Sequence, residues 1–434
     1  MAQDLESRRA ALYLLERILD KGLTFDGAFT EGCARFPDLA DRDRAFLRHL
    51  AATTLRRLGQ INAMINFCTP KRLGPKQARL RHILQLGVAQ LVYMNVPAHA
   101  AVDSSVRLVV QQKHPALNSQ KAFVNAVLRR IDREKDDFLD KFSDPFLNLP
   151  RWLRDSWINR YGKAVSRRLV RALLEEPPLD ISLKPELDPA DWARRLGGDI
   201  LPTGGVRLKK AGPVEKLPGY ADGVWWVQDL AAMLPARLLG AEAGQRVLDL
   251  CAAPGGKTLQ SAARGCRVTA VDVSERRLRR LRDNLDRLGL NCDVVTSDAA
   301  AYRPERPFPY ILLDAPCSSS GTLRRHPDMA WIKRPEDVHT LAALQARLLG
   351  AAVDMLAPGG VLVYCVCSLE AAEGPDQIKA LLDRGAPVQR DRIRPEELPG
   401  LEAAIGPEGD VQTLPHLYPG GMDGFYICRL KRIS

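Results

Sequence analysis

Apolar positions in the first third of the chain recur every three or four residues. Leu5, Ala10, Ala11, Leu14, Leu15, Ile18 and Leu19 share one face with arginines and acids between them, so residues 4–21 should form an amphipathic helix. Arg44 to Phe67 repeats the pattern through Phe46, Leu47, Leu50, Leu55, Leu58, Ile61, Met64 and Ile65, and Arg79 to Tyr93 continues it up to Pro97. Ala100 to Gln111 and Ala122 to Ile131 complete an all-helical region with short breaks at glycine and proline. The charged stretch from Asp132 to Asp144 reads as a helix end and linker. Pro150-Arg-Trp152 through Trp157 opens a second segment, whose two tryptophans read as core, and Pro177-Pro-Leu-Asp-Ile-Ser-Leu-Lys184 as a helix stop followed by a strand.

From Trp225 the pattern changes. Short apolar runs alternate with amphipathic helices, as in a parallel sheet covered on both faces. Asp229 is placed to cap a helix that ends near Leu239, with Gly240 as its C-terminal punctuation. The expected division is an all-helical domain over 1–140, a small α+β domain over 145–222, and an α/β domain over 223–434.

Chemistry concentrates at the ends of the strands in this last region. Arg246-Val-Leu-Asp249-Leu-Cys251-Ala-Ala-Pro254-Gly255-Gly256-Lys257-Thr258 is a strand, a tight turn of small residues and a helix start, where backbone amides can approach a ligand. Gly256-Lys257-Thr258 mimics the tail of a phosphate-binding loop, but Cys251 stands where that loop requires glycine, so a nucleoside triphosphatase is excluded. The next strand ends in Asp272, 17 residues after Gly255, where α/β folds commonly receive ribose hydroxyls. The absence of Gly-x-Gly-x-x-Gly argues against a nicotinamide dehydrogenase, and a third strand end carries Asp298. Tyr310 to Leu313 then runs into Asp314, Pro316 and Cys317, and Val361 to Tyr364 runs into Cys365 and Cys367. Packing alone does not ask for two strand ends that each deliver a cysteine.

Composition narrows the setting. The chain has 434 residues, 46% apolar and 26% charged, enough for several cores. No run of eighteen apolar residues marks a membrane helix, and the start lacks the basic-then-apolar layout of a secretory signal. Nine irregularly spaced cysteines argue against a disulfide framework and for a reducing cytoplasm. Cys365-x-Cys367 is too close for a zinc pair and has no second pair, so no metal is expected. Of the net +11, +10 falls within residues 1–130, where 20 Lys+Arg face 10 Asp+Glu. A basic first third beside a nearly neutral remainder suggests a nucleic-acid footprint there, against the alternative of a solvated helical surface.

Asp314-Ala-Pro-Cys317-Ser, followed fifty residues later by Cys367-Ser, resembles the RNA cytosine-5 methyltransferases that use two cysteines. The extension Arg324-Arg-His-Pro-Asp328 narrows the likeness to the small-subunit ribosomal RNA branch of the Sun/Fmu type. Leu80 to Leu91, Pro97 to Val102 and Phe123 to Arg129 are similar to the RNA-binding NusB antitermination factor, and Gly421 to Arg429 to the closing strand of the methyltransferases. The resemblance implies a class I (Rossmann-like) fold that binds S-adenosyl-L-methionine and modifies 16S ribosomal RNA as a monomer. It implies that Cys251, Ala252, Ala253, Pro254, Gly255, Gly256 and Lys257 line the methionine and ribose side. Asp272 would take the ribose, Asp298 would lie by the adenine and Asp314 would contact the cofactor.

Carbon 5 of cytosine is a poor nucleophile, and addition of a thiolate at carbon 6 makes it enamine-like. The resemblance assigns this attack to Cys367 and release of the adduct to Cys317. Cys365, two residues before Cys367 on a strand, should lie deeper and buried. Arg324, Arg325 and His326 suit phosphate or base contacts beside the pocket. The chain departs from the family pattern in three places. Val366 replaces a threonine, which should cost a hydroxyl near the site and slow the reaction. Gly374 follows Glu373 in place of asparagine, and Ser182-Leu-Lys184 stands where the family carries an arginine and an asparagine. Two alternatives stay open: the same chemistry on transfer RNA, and an RNA-binding protein on a decayed methyltransferase fold.

Overall fold

The computed structural model describes residues 2–110, 115–209 and 211–433. The chain divides into two compact units, one of Met1–Glu175 and Leu323–Lys333, the other of Glu176–Thr322 and Arg334–Ser434. The expected boundary at 140–145 falls inside the first unit and that at 222–223 inside the second. No helix among the described residues is long and apolar enough to cross a membrane.

The first unit is helical, and its apolar stripes meet in one core that includes Leu14, Leu15, Ile18, Leu47, Leu50, Ile83, Leu86 and Leu128. The helix expected over 4–21 is Ala2–Leu15, continued by a wider π turn, Glu16–Asp20. The stretch 44–67 is two helices, Asp41–Arg56 and Leu58–Cys68, broken at Arg57. Ala78–Val88 passes into another π turn, Ala89–Tyr93, and Ala98–Val110 and Lys121–Arg133 follow. Gln111, the expected end of one helix, lies outside the described residues. Phe25–Arg35 is a helix that the apolar pattern did not mark. Thr24 starts it by accepting a hydrogen bond from Gly27 N at 3.3 Å. Gly32 lets it pack closely, since a Cβ there would stand 2.5 Å from Leu14 Cδ1. Trp157 is fully buried and Trp152 half-buried on the helix Arg151–Leu173.

Leu323–Lys333 is built into this helical unit. Asp328 accepts from Phe25 N at 2.8 Å and so caps the helix that begins there. Trp331 Nε1 donates to Leu55 O at 2.9 Å, and Arg56 Nη2 to Arg324 O at 3.0 Å. Arg324 is buried, and Arg325 and His326 are half-buried.

The second unit holds two sheets. The smaller contains β1 (Leu179–Leu183), β2 (Asp199–Ile200), β3 (Val206–Leu208) and β4 (Trp225–Val227) in the order β2-β3-β1-β4, all antiparallel. Arg207 grips Asp180 within it, Nε to Oδ1 and Nη2 to Oδ2, both at 2.7 Å. The larger sheet contains β5 (Arg246–Leu250), β6 (Arg267–Asp272), β7 (Asp293–Thr296), β8 (Phe308–Asp314), β9 (Leu356–Val366), β10 (Val388–Arg390), β11 (Val411–Gln412) and β12 (Tyr426–Arg432). The order is β10-β12-β9-β8-β5-β6-β7, with β11 beside β12. β7, β6, β5, β8 and β9 run parallel, and β12 is antiparallel to its neighbours. Apolar cores cover both faces. Chain order reverses between β5 and β8, so a crevice opens there at the carboxyl ends of the strands, the usual ligand position in such sheets.

Candidate active site

The turn after β5 closes one side of this crevice. Gly255 has φ +110°, and a Cβ on it would lie 2.3 Å from Leu281 Cδ1, so the turn requires glycine. The helix Gly256–Ala263 then starts with its amides toward the crevice. Asp272, at the end of β6, accepts from Ala253 N at 3.1 Å and Ser274 N at 2.8 Å and pairs with Arg277 at 3.5 Å. A carboxylate has about four lone-pair positions, so room remains for a ribose hydroxyl. Asp298 follows β7, accepts from Ala300 N at 2.9 Å and faces Arg347 at 3.2 Å on an exposed rim. Beneath the turn, Asp249 is buried with one oxygen bonded by Thr258 at 2.5 Å and the other without a partner among the described residues. A glycine-bound turn, the amides of a helix start and a strand-end acid fit S-adenosylmethionine. Cys251 is no nucleophile: burial and the acids Asp272 and Asp314 push its thiol up to about 12.

β8 and β9 bring the reactive groups together. Asp314 accepts from Lys257 Nζ at 2.6 Å through one oxygen and from Cys365 Sγ at 3.4 Å through the other. Burial alone would lower the Lys257 ammonium, but Asp314, Cys365 and Cys367 hold it above its usual value. Cys365 is fully buried, which pushes its thiol well up, as the strand position leads one to expect. Cys367 is half-buried, and its sulfur stands 3.3 Å from that of Cys317. The bond to Cys367, then burial, then the charges of Cys367 and Glu373, raise the Cys317 thiol well above its normal range. Cys317 therefore keeps its proton at neutral pH and can donate it toward Cys367. Backbone bonds tie the two loops, from Ala315 N to Cys365 O and from Gly321 N to Cys367 O, both at 3.0 Å.

The structure gives each departure from the family pattern a physical setting. Val366 is fully buried and packs with Tyr364 and Tyr426 in the core on the sheet face opposite Cys365 and Cys367. A threonine hydroxyl at 366 would therefore point away from Cys367, since adjacent strand residues point to opposite faces, and toward the core against which Cys317 packs. Gly374 lies against the Tyr426 ring, where a Cβ would meet Cγ at 3.0 Å. Ser182 is buried and donates to Gln228 Oε1 at 2.8 Å, which also receives Trp226 Nε1 at 2.8 Å. Lys184 borders a cavity of about 240 Å³ with Arg264. Sequence reasoning gave no role to Glu373, which binds the serines that follow both cysteines. The repeated Cys-Ser pair was the available signal.

Residues 236–431 match the family model described as 16S rRNA methyltransferase RsmB/F, and residues 5–133 match that of the NusB family. A ribosomal RNA small subunit methyltransferase B from Cronobacter sakazakii is 34% identical over 99% of each chain. One from Salmonella agona is 36% identical over 98% of each. Among solved structures, PH0851 shares the fold at a TM-score of 0.77, 21% identity and 99% of both chains. A methyltransferase homolog from Pyrococcus horikoshii is 27% identical at a TM-score of 0.57, covering 67% of this chain and 98% of that one. With a third of its residues identical to such relatives along nearly its whole length, this chain belongs to the ribosomal RNA small subunit methyltransferase B family of S-adenosylmethionine-dependent enzymes.

Proposed function

We propose that the chain methylates carbon 5 of a cytosine in 16S ribosomal RNA through a covalent bond from Cys367 to the base. The observation that carries this reading is the 3.3 Å approach of two thiols at adjacent strand ends, beside a buried ammonium. Cys367 adds as a thiolate to carbon 6, with Lys257 supplying positive charge nearby and Cys317 donating a hydrogen bond to the attacking sulfur while keeping its proton. The base at that point has an electron-rich carbon 5. The Cys251–Lys257 turn and Asp272 would hold S-adenosylmethionine, with Asp298 on its adenine side and Asp314 at its reacting end, and the cofactor would supply the methyl group as an electrophile.

Formation of the carbon–sulfur bond removes the charged acceptor from Cys317, and with it the leading cause of that thiol's raised pKa. Cys317 then loses its proton to solvent. As a thiolate it collects the proton from carbon 5 while the 5,6 double bond re-forms and the bond to Cys367 breaks. Cys317 is again a thiol and Cys367 again a thiolate, so the cycle closes with release of one proton. The target cytosine has to be unstacked, which costs least in a loop.

The three segments of the chain divide the work: 1–140 contacts RNA, 145–222 links, and 223–434 catalyses. The first contains exposed Lys71, Arg72, Lys76, Lys121 and Arg129, which suit phosphate contacts. Free thiols throughout suit the reducing cytoplasm, where this substrate is made. The test gives Cys317→Ala, Cys367→Ala and the double variant unmethylated ribosomal RNA and labelled S-adenosylmethionine, then runs a denaturing gel. Cys317→Ala should accumulate a labelled protein–RNA adduct and Cys367→Ala none. An adduct that survives in Cys367→Ala refutes the nucleophile. Labelling of transfer RNA alone moves the substrate, and no labelling by the wild type of either RNA favours a binding protein.

A further inference from the structure

We propose that Glu373 is a positioning residue that holds the two reactive cysteines at their working separation. This rests on the two-thiol reading above and assigns a role to a side chain that touches neither thiol. Glu373 lies in the turn Ala371–Glu373 and is fully buried. Its Oε1 accepts from Ser318 N at 2.8 Å and Gln345 Nε2 at 3.1 Å. Its Oε2 accepts from the hydroxyls of Ser318 and Ser368, each at 2.5 Å. Ser318 and Ser368 directly follow Cys317 and Cys367, so one carboxylate grips the residue beside each thiol.

The proton inventory leaves little slack. Each serine has one hydroxyl hydrogen, and both are spent on Glu373. The Ser368 oxygen in turn accepts from Glu370 N at 3.1 Å and from Ser320 Oγ at 3.2 Å, while Ser320 accepts from Leu369 N at 2.9 Å. Gln345 braces the other side of Cys317 by donating to Pro316 O at 2.8 Å. Tyr364 Oη donates to the Glu373 carbonyl at 2.6 Å and so fixes the turn itself.

The four donors are neutral, so among the described residues no ion pair offsets the cost of burying this charge. A tie between two loops does not by itself call for a carboxylate. What a carboxylate alone offers is two acceptor oxygens that take a pair of bonds each. Glutamine has one acceptor oxygen and an amide that would face donors. The same negative charge also adds to the raised pKa of Cys317, which keeps it a thiol before attack. The residue is thus fitted to set both the separation of the sulfurs and the protonation of one of them.

The experiment compares wild type with Glu373→Gln, Glu373→Asp, Ser318→Ala and Ser368→Ala in the full chain. The first readout needs no RNA: closure of a Cys317–Cys367 disulfide by diamide. Both thiols give up their hydrogens, the N=N bond of diamide takes them up as a hydrazine, and the S–S bond forms. Sulfurs 3.3 Å apart in the wild type should close quickly, and Glu373→Gln should slow closure at least tenfold. The second readout is methylation of ribosomal RNA. A misplacement of about 1 Å is worth a factor on the order of a hundred, so kcat should fall by that much with KM for RNA and affinity for S-adenosylmethionine unchanged. Each serine variant should give a smaller loss in both readouts, and Glu373→Asp, one methylene short, should fall between wild type and Glu373→Gln. The serine variants also decide the matter if Glu373→Gln fails to fold. Closure and turnover at wild-type rates in these variants would overturn the proposal, as would a loss of kcat with unchanged closure. A wild type inactive on ribosomal RNA whose disulfide still closes more slowly in Glu373→Gln would refute the function and leave the role of Glu373 standing.

Discussion

Replacing Asp249 by asparagine should destabilise the chain at pH 4 and stabilise it at pH 8. Asp249 sits within β5 at 1% exposure, with Thr258 donating to one oxygen and no partner among the described residues for the other. Burial, reinforced by the charges of Asp314 and Asp272, pushes its carboxyl up to about 7, against the pull of the Thr258 bond and Lys257. In the unfolded chain an aspartate titrates near roughly 3.9. Between about pH 4 and 7 the folded chain therefore holds a proton that the unfolded chain has lost. Stability contributed by this group falls as pH rises through that window and is flat above it. A gap of about three units at roughly 1.36 kcal/mol each amounts to about 4 kcal/mol. Asparagine still accepts from Thr258 but places an amide where no partner waits, a cost of about 1–3 kcal/mol that does not depend on pH. The variant should thus lose about 1–3 kcal/mol at pH 4, where the linkage has barely begun, and gain a similar amount at pH 8. For a unit of this size, with each kcal/mol worth roughly 2–4 °C, the variant-minus-wild-type difference in melting midpoint should move by roughly 8–16 °C. Scanning calorimetry of both proteins at the two pH values measures it. An equal difference at both would mean that Asp249 is ionised throughout, and the account of its burial would be wrong.

Three further outcomes follow from the site. Val366→Thr should leave the methylation rate within about twofold of wild type, because the side chain lies on the sheet face opposite the attacking Cys367. It should lower stability by about 1–3 kcal/mol in urea unfolding through a buried hydroxyl. Lys257→Met removes the ammonium beside Asp314 and Cys367, and single-turnover methylation should slow by about 10²–10³. Because Asp314 keeps a third of its surface in water, the accompanying loss of stability should be modest, on the order of 1 kcal/mol. Iodoacetamide at pH 8 should label Cys367 well before Cys251 and Cys365, whose thiols burial holds in the unreactive protonated form, and peptide mass mapping would show the order.

The features that were legible in the sequence are those set by period and by chain ends. Three- and four-residue spacing located helices that bury Leu14, Leu50 and Leu128, because a helix without an apolar stripe has nothing to pack. Abrupt stops after apolar runs located Asp272, Asp314 and Cys317 at strand ends, because a parallel sheet buries its strands and opens only at their ends. The helix Phe25–Arg35 escaped because its buried side is short, Phe25, Ala28 and Gly32, and the last of these carries no hydropathy signal: a Cβ on Gly32 would collide with Leu14. The setting of Arg324 escaped for a different reason. Three consecutive cationic or ionisable residues resemble a phosphate contact, yet a bond from the Arg56 guanidinium to Arg324 O and the cap that Asp328 gives Phe25 build this segment into a helical unit some 270 residues earlier in the chain. No local pattern encodes a partner that distant.

Val366 and Glu373 show how far a local rule reaches. The period of two that places Cys365 and Cys367 on one face also places Val366 on the other, so its pointing away from Cys367 was available from the strand alone. Depth, not face, separates the two cysteines: Cys365 is sealed at 0% exposure while Cys367 lies one pair further toward the crevice. Glu373 could not be found this way. A glutamate between alanines and a glycine reads as a solvated turn, and its four bonds come from positions 28 to 55 residues earlier and 5 residues earlier in the chain. What makes it buried is that two strands deliver the same dipeptide, Cys-Ser, to one crevice, and each serine needs an acceptor. A single carboxylate meets both needs only if the strand ends lie side by side, as β8 and β9 do. The repeated dipeptide is therefore a sequence-level sign of a shared buried acceptor, readable wherever adjacent parallel strands end alike.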